Sequence, residues 1–233
     1  MKKQPCTAIV LAAGQGKRME SDIQKQYLEL EGKPVLYYAL KAFQDAQMID
    51  NIILVVGEGQ ESYCRKEVVE KYHFEKISDI VIGGAQRYHS VFCGLQKISH
   101  EGYVFIHDGA RPFVDQEILE RAYQEVQIHR ACVVGMPCKD TIKVSDSKGF
   151  AKETPDRETL WMIQTPQVFC VPLISEAYAQ LMKKPQIKVT DDAMVLEQMS
   201  GYPIKLVIGS YENIKITTPE DLEIARIFCC KRK

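Results

Sequence analysis

Residues Thr7 to Met19 read T-A-I-V-L-A-A-G-Q-G-K-R-M, an apolar run followed by a glycine-rich turn and two cations. The run Thr7 to Leu11 is short and apolar, which predicts a fully buried strand. Gly14 and Gly16 then let the backbone approach a ligand closely and present its N–H groups to phosphate. Arg18 adds a charged fork that suits phosphate oxygens. This order predicts the first strand of an α/β fold, with an anion site at its carboxyl end.

The alternation of strand and helix patterns continues along the chain. Further strands are predicted at residues 51–56, 77–82, 103–107, 131–136, 160–164 and 204–208. Helices are predicted at residues 35–46, 60–72, 87–98, 116–129 and 171–183, after Thr190, and at 220–229. The alternation predicts a single α/β domain over residues 1–233, with a mostly parallel, doubly wound (Rossmann-like) sheet covered by helices on both faces. Its ligand is expected at the carboxyl ends of the strands.

Residues Pro137 to Pro155 break this pattern, because polar and apolar side chains alternate there around a turn at Asp146 to Gly149. They predict a protruding β-hairpin arm at about residues 137–157. An isolated hairpin is marginally stable in water. We therefore expect the arm to pack against a second subunit in a homodimer.

The composition excludes several classes of protein. A formal net charge of -1 does not indicate a nucleic-acid binder, and no apolar run approaches the roughly 20 residues that span a bilayer. The short polar start before Thr7 leaves no room for a signal peptide. Eight cysteines without a C-x-x-C pair are typical of free thiols in a reducing compartment. We expect a cytoplasmic protein without nucleic-acid or membrane partners.

The glycine loop matches neither common nucleotide-binding fingerprint. Met19 stands where a dinucleotide-binding loop has its third glycine, which disfavours a dehydrogenase, and the G-K-[ST] of a Walker loop is absent. For the glycines alone, a tight turn without a ligand is an equal alternative. Lys25, a little further along the chain, favours a functional site. Together with the glycine N–H groups and Arg18 it could surround a triphosphate. The alternative is that Lys25 is a solvated surface lysine.

Asp108 stands at the predicted end of a strand, close to Arg111. A carboxylate at this position can hold Mg²⁺ beside phosphates, and a turn-forming aspartate is the alternative. Arg111 could pair with Asp108, hold a substrate, or do both. His107 is expected to pack in the core.

Two segments near the C-terminus carry polar residues whose roles the pattern leaves open. Thr190 is predicted as a helix N-cap, with Asp191 and Asp192 as acids of the first turn. Lys215 is predicted inside a strand, N-I-K-I-T, where a lysine must face the active side or lose its solvation.

Six motifs occur in a fixed order: A-A-G-x-G-x-R-M, K-Q-Y, G-G-A-Q-R-Y-H-S, H-D-G-A-R-P, Q-T-P-Q and N-I-K-I-T. From Ala8 to about Ala225, the chain resembles the 2-C-methyl-D-erythritol 4-phosphate cytidylyltransferases of non-mevalonate isoprenoid biosynthesis. The resemblance implies transfer of CMP from CTP to 2-C-methyl-D-erythritol 4-phosphate, with Mg²⁺ or another divalent cation as cofactor. Two alternatives remain: a cytidylyltransferase for another polyol phosphate, such as ribitol 5-phosphate, and a non-catalytic nucleotide-binding protein.

The resemblance also implies roles for individual residues. The base would be read by Ala12, Ala13, Gly84 and Ser90, and the triphosphate would be surrounded by Gly14, Gly16, Arg18, Lys25 and Lys215. Asp108 would lie beside the ribose and the metal-bound phosphates, as the one side chain expected near the metal. The acceptor would be held by Arg111, Thr165, Thr190 and Lys215, and across a dimer interface by Thr141 and Arg157. The residues expected to be catalytic are Arg18, Lys25, Asp108 and Lys215.

Ala85 is a departure from the family, whose members often carry an acidic residue after the G-G pair. We expect this change to affect the selectivity for the base rather than the type of reaction.

Overall fold

The structure, a computed structural model, describes residues 3–14, 24–184 and 186–232. Its strands are β1 (Cys6–Ala12), β2 (Glu29–Leu30), β3 (Lys33–Pro34), β4 (Asn51–Val56), β5 (Ile77–Ile82), β6 (Tyr103–Asp108), β7 (Ala131–Pro137), β8 (Val144–Ser145), β9 (Ala151–Glu153), β10 (Trp161–Cys170) and β11 (Lys205–Ile208). Its α-helices are α1 (Val35–Asp45), α2 (Glu61–Tyr63, continued by π-helical turns at Cys64–Glu70), α3 (Arg87–Leu95), α4 (Gln116–His129), α5 (Val171–Leu181), α6 (Asp192–Ser200) and α7 (Pro219–Lys231).

Seven of the described strands form one sheet in the order β11-β7-β10-β6-β1-β4-β5. β1 pairs in parallel with β4 and β6, whereas β10 runs antiparallel to β6 and β7. The predicted mostly parallel, doubly wound sheet is therefore confirmed. The chain moves from β1 to β4 on one side and later to β6 on the other, and folds of this kind bind ligands at the carboxyl ends of the strands beside such a switch.

The two faces of the sheet are both covered by helices. Successive side chains of a strand point to opposite faces, and along β1 Ala8 and Val10 join one apolar cluster while Ile9 joins another. Helices α1 and α4 pack on the first face, and helices α3, α5 and α6 pack on the second. No helix within the described residues is both long and apolar enough to cross a membrane.

The arm predicted between Pro137 and Pro155 forms a hairpin of β8 and β9, which is separate from the main sheet. Its turn lies where the sequence predicts it. The Asp146 carboxylate accepts hydrogen bonds from the N–H groups of Lys148 and Phe150, and Gly149 has a φ of 84°. A positive φ of this kind favours glycine.

Two segments differ from the expectations of the sequence. Strand β10 continues to Cys170 instead of ending at residue 164, because its register shifts between Ile163 and Gln167 and so accommodates Pro166. The motif N-I-K-I-T forms no strand in the described structure. The N–H of Ile216 donates to the carbonyl of Ala110 instead, at 2.8 Å, and this contact brings Lys215 beside the end of β6.

Candidate active site

A cleft of about 520 Å³ opens at the carboxyl ends of β1, β5 and β6. It brings together the following residues of the sequence-based expectation: Ala13, Gly14, Lys25, Gly84, Ser90, Asp108 and Lys215. Lys25 enters the cleft at the start of a short 3₁₀-helical turn, Lys25–Tyr27. Gly16 and Arg18, which are predicted to contact the same phosphates, lie outside the described residues. Most of the predicted nucleotide-binding residues therefore line the same cleft.

Asp108 is the central carboxylate of this cleft. It is buried, and its two oxygens pair with Arg87 Nε at 3.0 Å and with Lys215 Nζ at 2.6 Å. Burial raises the pKa of Asp108, but the nearby Arg87 and Lys215 outweigh it and hold the pKa far below its ordinary value. Asp108 is therefore ionised at neutral pH, and it holds the ammonium group of Lys215 at the cleft.

Arg87 connects this carboxylate to a second, deeper one. Its terminal nitrogens form a two-pronged ion pair with Asp192, at 2.9 and 2.8 Å, and Tyr178 donates a further hydrogen bond to Asp192 at 2.6 Å. Asp192 has no exposed surface. Asp192 lies in the first turn of α6, as predicted, but its carboxylate is also the buried counter-ion of an arginine that lines the cleft.

The residues before Asp192 also correct a prediction. The N-cap of α6 is Asp191, whose side chain accepts from the N–H of Met194 at 2.9 Å, and not Thr190. Thr190 is exposed and lines a different cavity of about 480 Å³, together with Met194 and Ile204. The structure therefore does not bring Thr190 into the main cleft.

His107 packs in the core, as its position in the strand predicts. Its Nε2 lies 3.1 Å from the carbonyl of Arg111 and its Nδ1 lies 3.0 Å from Thr165 Oγ1. A carbonyl can only accept, so Nε2 carries the proton and Nδ1 accepts from the Thr165 hydroxyl. That hydroxyl in turn accepts from the N–H of Asp108 at 3.1 Å. Thr165 thus ties β10 to the loop after β6, and its hydroxyl is engaged within the protein.

Acidification should weaken the fold through His107. Burial is the main cause that lowers the pKa of His107 from 6.5 to about 4. Between these values the unfolded chain binds a proton that the folded protein refuses, so stability falls as the pH falls. The expected loss is about 2 to 3 kcal/mol. Urea unfolding across this range should show a shallower pH dependence for His107→Gln, and an unchanged dependence would contradict the assignment of a neutral histidine.

Arg111 is half-buried in the loop after β6 and does not line the cleft, and its Nη1 donates to the carbonyl of Asn213 at 2.7 Å. It forms no ion pair with Asp108 among the described residues, although pairing was one expectation. Its Nε and the Oδ1 of Asn213 are buried without a hydrogen-bond partner in the same part of the structure. Arg111 therefore keeps one guanidinium donor that no described residue uses.

The wall formed by the G-G pair is closely packed against the end of β1. A side chain at Gly83 would place its Cβ 2.6 Å from both Ala13 Cβ and Ser90 Oγ. The hydroxyl of Ser90 accepts from the N–H of Gly84 at 3.1 Å. Ala12 is buried, and its carbonyl is taken by Gln26. The predicted base-binding residues therefore lie together at the end of β1, where contacts among them fix their positions.

The arm residues lie apart from the cleft of their own chain. Thr141 and Arg157 are both exposed, and the Nη1 of Arg157 donates to the carbonyl of Lys139 at 3.2 Å. Neither residue lines the main cleft.

Arg87 and Gln26 also line the cleft and were not predicted from the sequence, although they lie inside the motifs G-G-A-Q-R-Y-H-S and K-Q-Y. A signal was present in each motif, since Arg87 and Gln26 are polar residues for which the pattern offered no separate role.

Comparisons with known proteins agree with this geometry. The family model described as 2-C-methyl-D-erythritol 4-phosphate cytidylyltransferase matches residues 6–231. Among curated relatives, the protein of that name from Lachnospira eligens is 53% identical over 223 residues, covering 95% of this chain and 98% of the relative. The one from Caldanaerobacter subterraneus is 45% identical and covers 97% of this chain and 99% of the relative.

Solved structures agree as well. The crystal structure of 4-diphosphocytidyl-2C-methyl-D-erythritol synthase from Anaerococcus prevotii superposes with a TM-score of 0.86 at 33% identity, covering 98% of this chain and 97% of that one. The cytidylyltransferase from Thermus thermophilus superposes with a TM-score of 0.77 at 29% identity, covering 96% and 98%. By sequence and by structure, this chain belongs to the 2-C-methyl-D-erythritol 4-phosphate cytidylyltransferase family.

Proposed function

We propose that the chain transfers CMP from CTP to 2-C-methyl-D-erythritol 4-phosphate, releasing diphosphate and 4-diphosphocytidyl-2-C-methyl-D-erythritol. The acceptor's phosphate oxygen attacks the α-phosphorus of CTP in line, a new P–O bond forms, and the bond to the β-phosphate oxygen breaks. The observation that carries the proposal is the ion pair of Asp108 and Lys215 in the cleft lined by Gly14 and Lys25. This arrangement supports the proposal, because cations in the cleft would stabilise the negative charge that the reaction builds.

In this proposal the cationic and anionic residues of the cleft have different roles. Lys25 and Lys215 neutralise the triphosphate and the charge that develops at the α-phosphorus. Asp108 keeps Lys215 in place and is the carboxylate that would hold Mg²⁺ or another divalent cation. A single carboxylate fits such a cation, because Mg²⁺ is commonly held by one or two carboxylates together with substrate phosphates. When bound, the cation supplies charge neutralisation at the phosphates.

The acceptor site in this proposal combines two subunits. Arg111 supports it from within the chain, because it carries a positive charge and its Nε has no hydrogen-bond partner among the described residues. The arm supports a homodimer, because Ile142, Val144 and Phe150 expose apolar side chains, Phe150 to 70%. Such a surface is stabilised by burial against a second copy. Thr141 and Arg157 would then reach the acceptor across the interface.

A diphosphate-release assay with CTP and a panel of acceptors tests the function. Release with 2-C-methyl-D-erythritol 4-phosphate and not with ribitol 5-phosphate is the expected result. Preference for ribitol 5-phosphate would favour the other polyol phosphate, and nucleotide binding without diphosphate release would favour a non-catalytic protein. A reducing, cytoplasmic location is part of the proposal, since Cys6, Cys64 and Cys132 are buried free thiols.

Mixing two inactive variants tests the shared site. Lys25→Ala removes a residue that acts within its own chain, and Arg157→Ala removes one that acts in the partner's site. In a mixed dimer, one site carries both changes and the other carries neither. Random exchange makes half of the dimers mixed, so about a quarter of the wild-type activity should return. If subunits exchange and no activity returns, Arg157 does not act across the interface.

Ala85 lines the cleft beside Gly84, and Ala85→Asp tests its role in base selectivity. A carboxylate there can accept from the exocyclic amine of cytosine, a donor that uracil lacks. We expect the preference for CTP over UTP to sharpen by about 10-fold. Competition assays with both nucleotides measure this ratio, with Ala85→Ser as a smaller, uncharged control. An unchanged ratio in Ala85→Asp would mean that the base is read without this position.

A further inference from the structure

Gln26 is a polar side chain that is buried at the back of the cleft, with 2% of its surface exposed. Its Nε2 donates to the carbonyl of Ala12 at 2.5 Å and lies 3.2 Å from the carbonyl of Gly14. The side-chain oxygen of Gln24 lies 2.7 Å from the same nitrogen, so its two protons are shared among three acceptors. One amide group therefore holds both ends of the short segment from Ala12 to Gly14.

The orientation of this amide follows from its partners. The carbonyls of Ala12 and Gly14 can only accept hydrogen bonds, so the nitrogen of Gln26 must face them. A reversed amide would place the side-chain oxygen of Gln26 against the carbonyl oxygens of Ala12 and Gly14, and none of the three can donate. Removing the donors would take this partner from the carbonyl of Ala12, a buried residue, which is unfavourable.

The orientation of the Ala12 carbonyl also affects the wall formed by the G-G pair, where the base is expected to bind. A peptide unit is planar and trans, so a carbonyl of Ala12 aimed at Gln26 turns the N–H of Ala13 the opposite way. Ala13 in turn packs against Gly83 and Ser90 with no room for a side chain at Gly83. The amide of Gln26 thus helps to fix the direction of the backbone groups at the end of β1, next to that wall, together with the pairing of Ala12 and Val56.

We propose that Gln26 is a positioning residue for the nucleotide: it holds the backbone of residues 12–14 in the conformation that binds CTP. The inference rests on the proposed function, since CTP is the ligand in question. It predicts a selective loss of CTP affinity, while the KM for the acceptor stays the same.

Calorimetric titration of the full chain with CTP tests this role. Gln26→Glu keeps the size of the side chain but removes the donors, and the Kd for CTP should rise by about 10-fold or more at about pH 8. The buried carboxylate would face two carbonyl oxygens, which raises its pKa. On lowering the pH to about 6, the protonated side chain regains one donor, so its Kd should move back toward the wild-type value measured at the same pH.

Gln127→Glu is the matched control, because Gln127 also donates to a backbone carbonyl but lies exposed on α4. Its Kd for CTP should stay at the wild-type value. If Gln26→Glu does not fold, Gln26→Met carries the same test without the added charge. Wild-type affinity in a folded Gln26 variant would overturn the inference and leave the function standing. A wild-type protein that binds CTP without releasing diphosphate would sink the proposed function alone, and one that binds no CTP would overturn both.

Discussion

Replacing Lys215 with methionine is expected to lower kcat/KM by about 10²- to 10³-fold. The ammonium group of Lys215 lies 2.6 Å from Asp108 and lines the cleft. In the proposed reaction it stabilises charge that is greater in the transition state than in bound CTP, so kcat should fall more than affinity. Methionine retains the length of the aliphatic chain and removes the charge. Steady-state kinetics of diphosphate release, with CTP varied at saturating acceptor, measures both parameters.

Lys41→Met is the control for this change. Lys41 also pairs with an aspartate at 2.6 Å, Asp45, but on the exposed face of α1. The kinetic parameters of Lys41→Met should match those of the wild type, because an exposed ion pair of this kind contributes little to stability and lies outside the cleft. If Lys215→Met retained the wild-type kcat, the catalytic role of Lys215 would have to be withdrawn.

The second large effect concerns stability. Arg87→Met should lower the free energy of unfolding by about 3 to 5 kcal/mol, because it leaves the fully buried carboxylate of Asp192 without its counter-ion. The hydrogen bond from Tyr178 remains but carries no positive charge. Activity should fall as well, since Arg87 also contacts Asp108. Urea denaturation followed by circular dichroism measures the stability.

Two further variants separate this mechanism from a general effect of losing an arginine. Arg226→Met removes an exposed arginine that pairs with Glu223 on the surface of α7. It should cost no more than about 1 kcal/mol. Adding Asp192→Asn to Arg87→Met should recover part of the loss, because the unpaired charge is then gone. A double variant no more stable than Arg87→Met would show that the buried charge is not the cause.

The local pattern predicted most of the strands and helices because each depends on neighbours in sequence. The buried run at Thr7 to Leu11 lies within β1, and the turn at Asp146 to Gly149 closes the arm. The end of β10 was missed because proline usually interrupts a strand, and only the pairing with β7 shows where the register shifts. Residues 213–217 were assigned to a strand on local preference, whereas a contact with the distant Ala110 determines their backbone.

The sequence by itself determined the fold class, the family and the end of the sheet at which the site lies. These follow from periodicity and from motifs, which are written in consecutive residues. Only the tertiary structure decided which charges meet, because Arg87 and Asp192 are 105 positions apart and Lys215 and Asp108 are 107 positions apart. Burial then decided their strength, since a carboxylate without exposed surface requires its partner, whereas the same carboxylate in water does not. That is why Asp192 looks like an ordinary helix-start acid in the sequence and is a buried counter-ion in the folded protein.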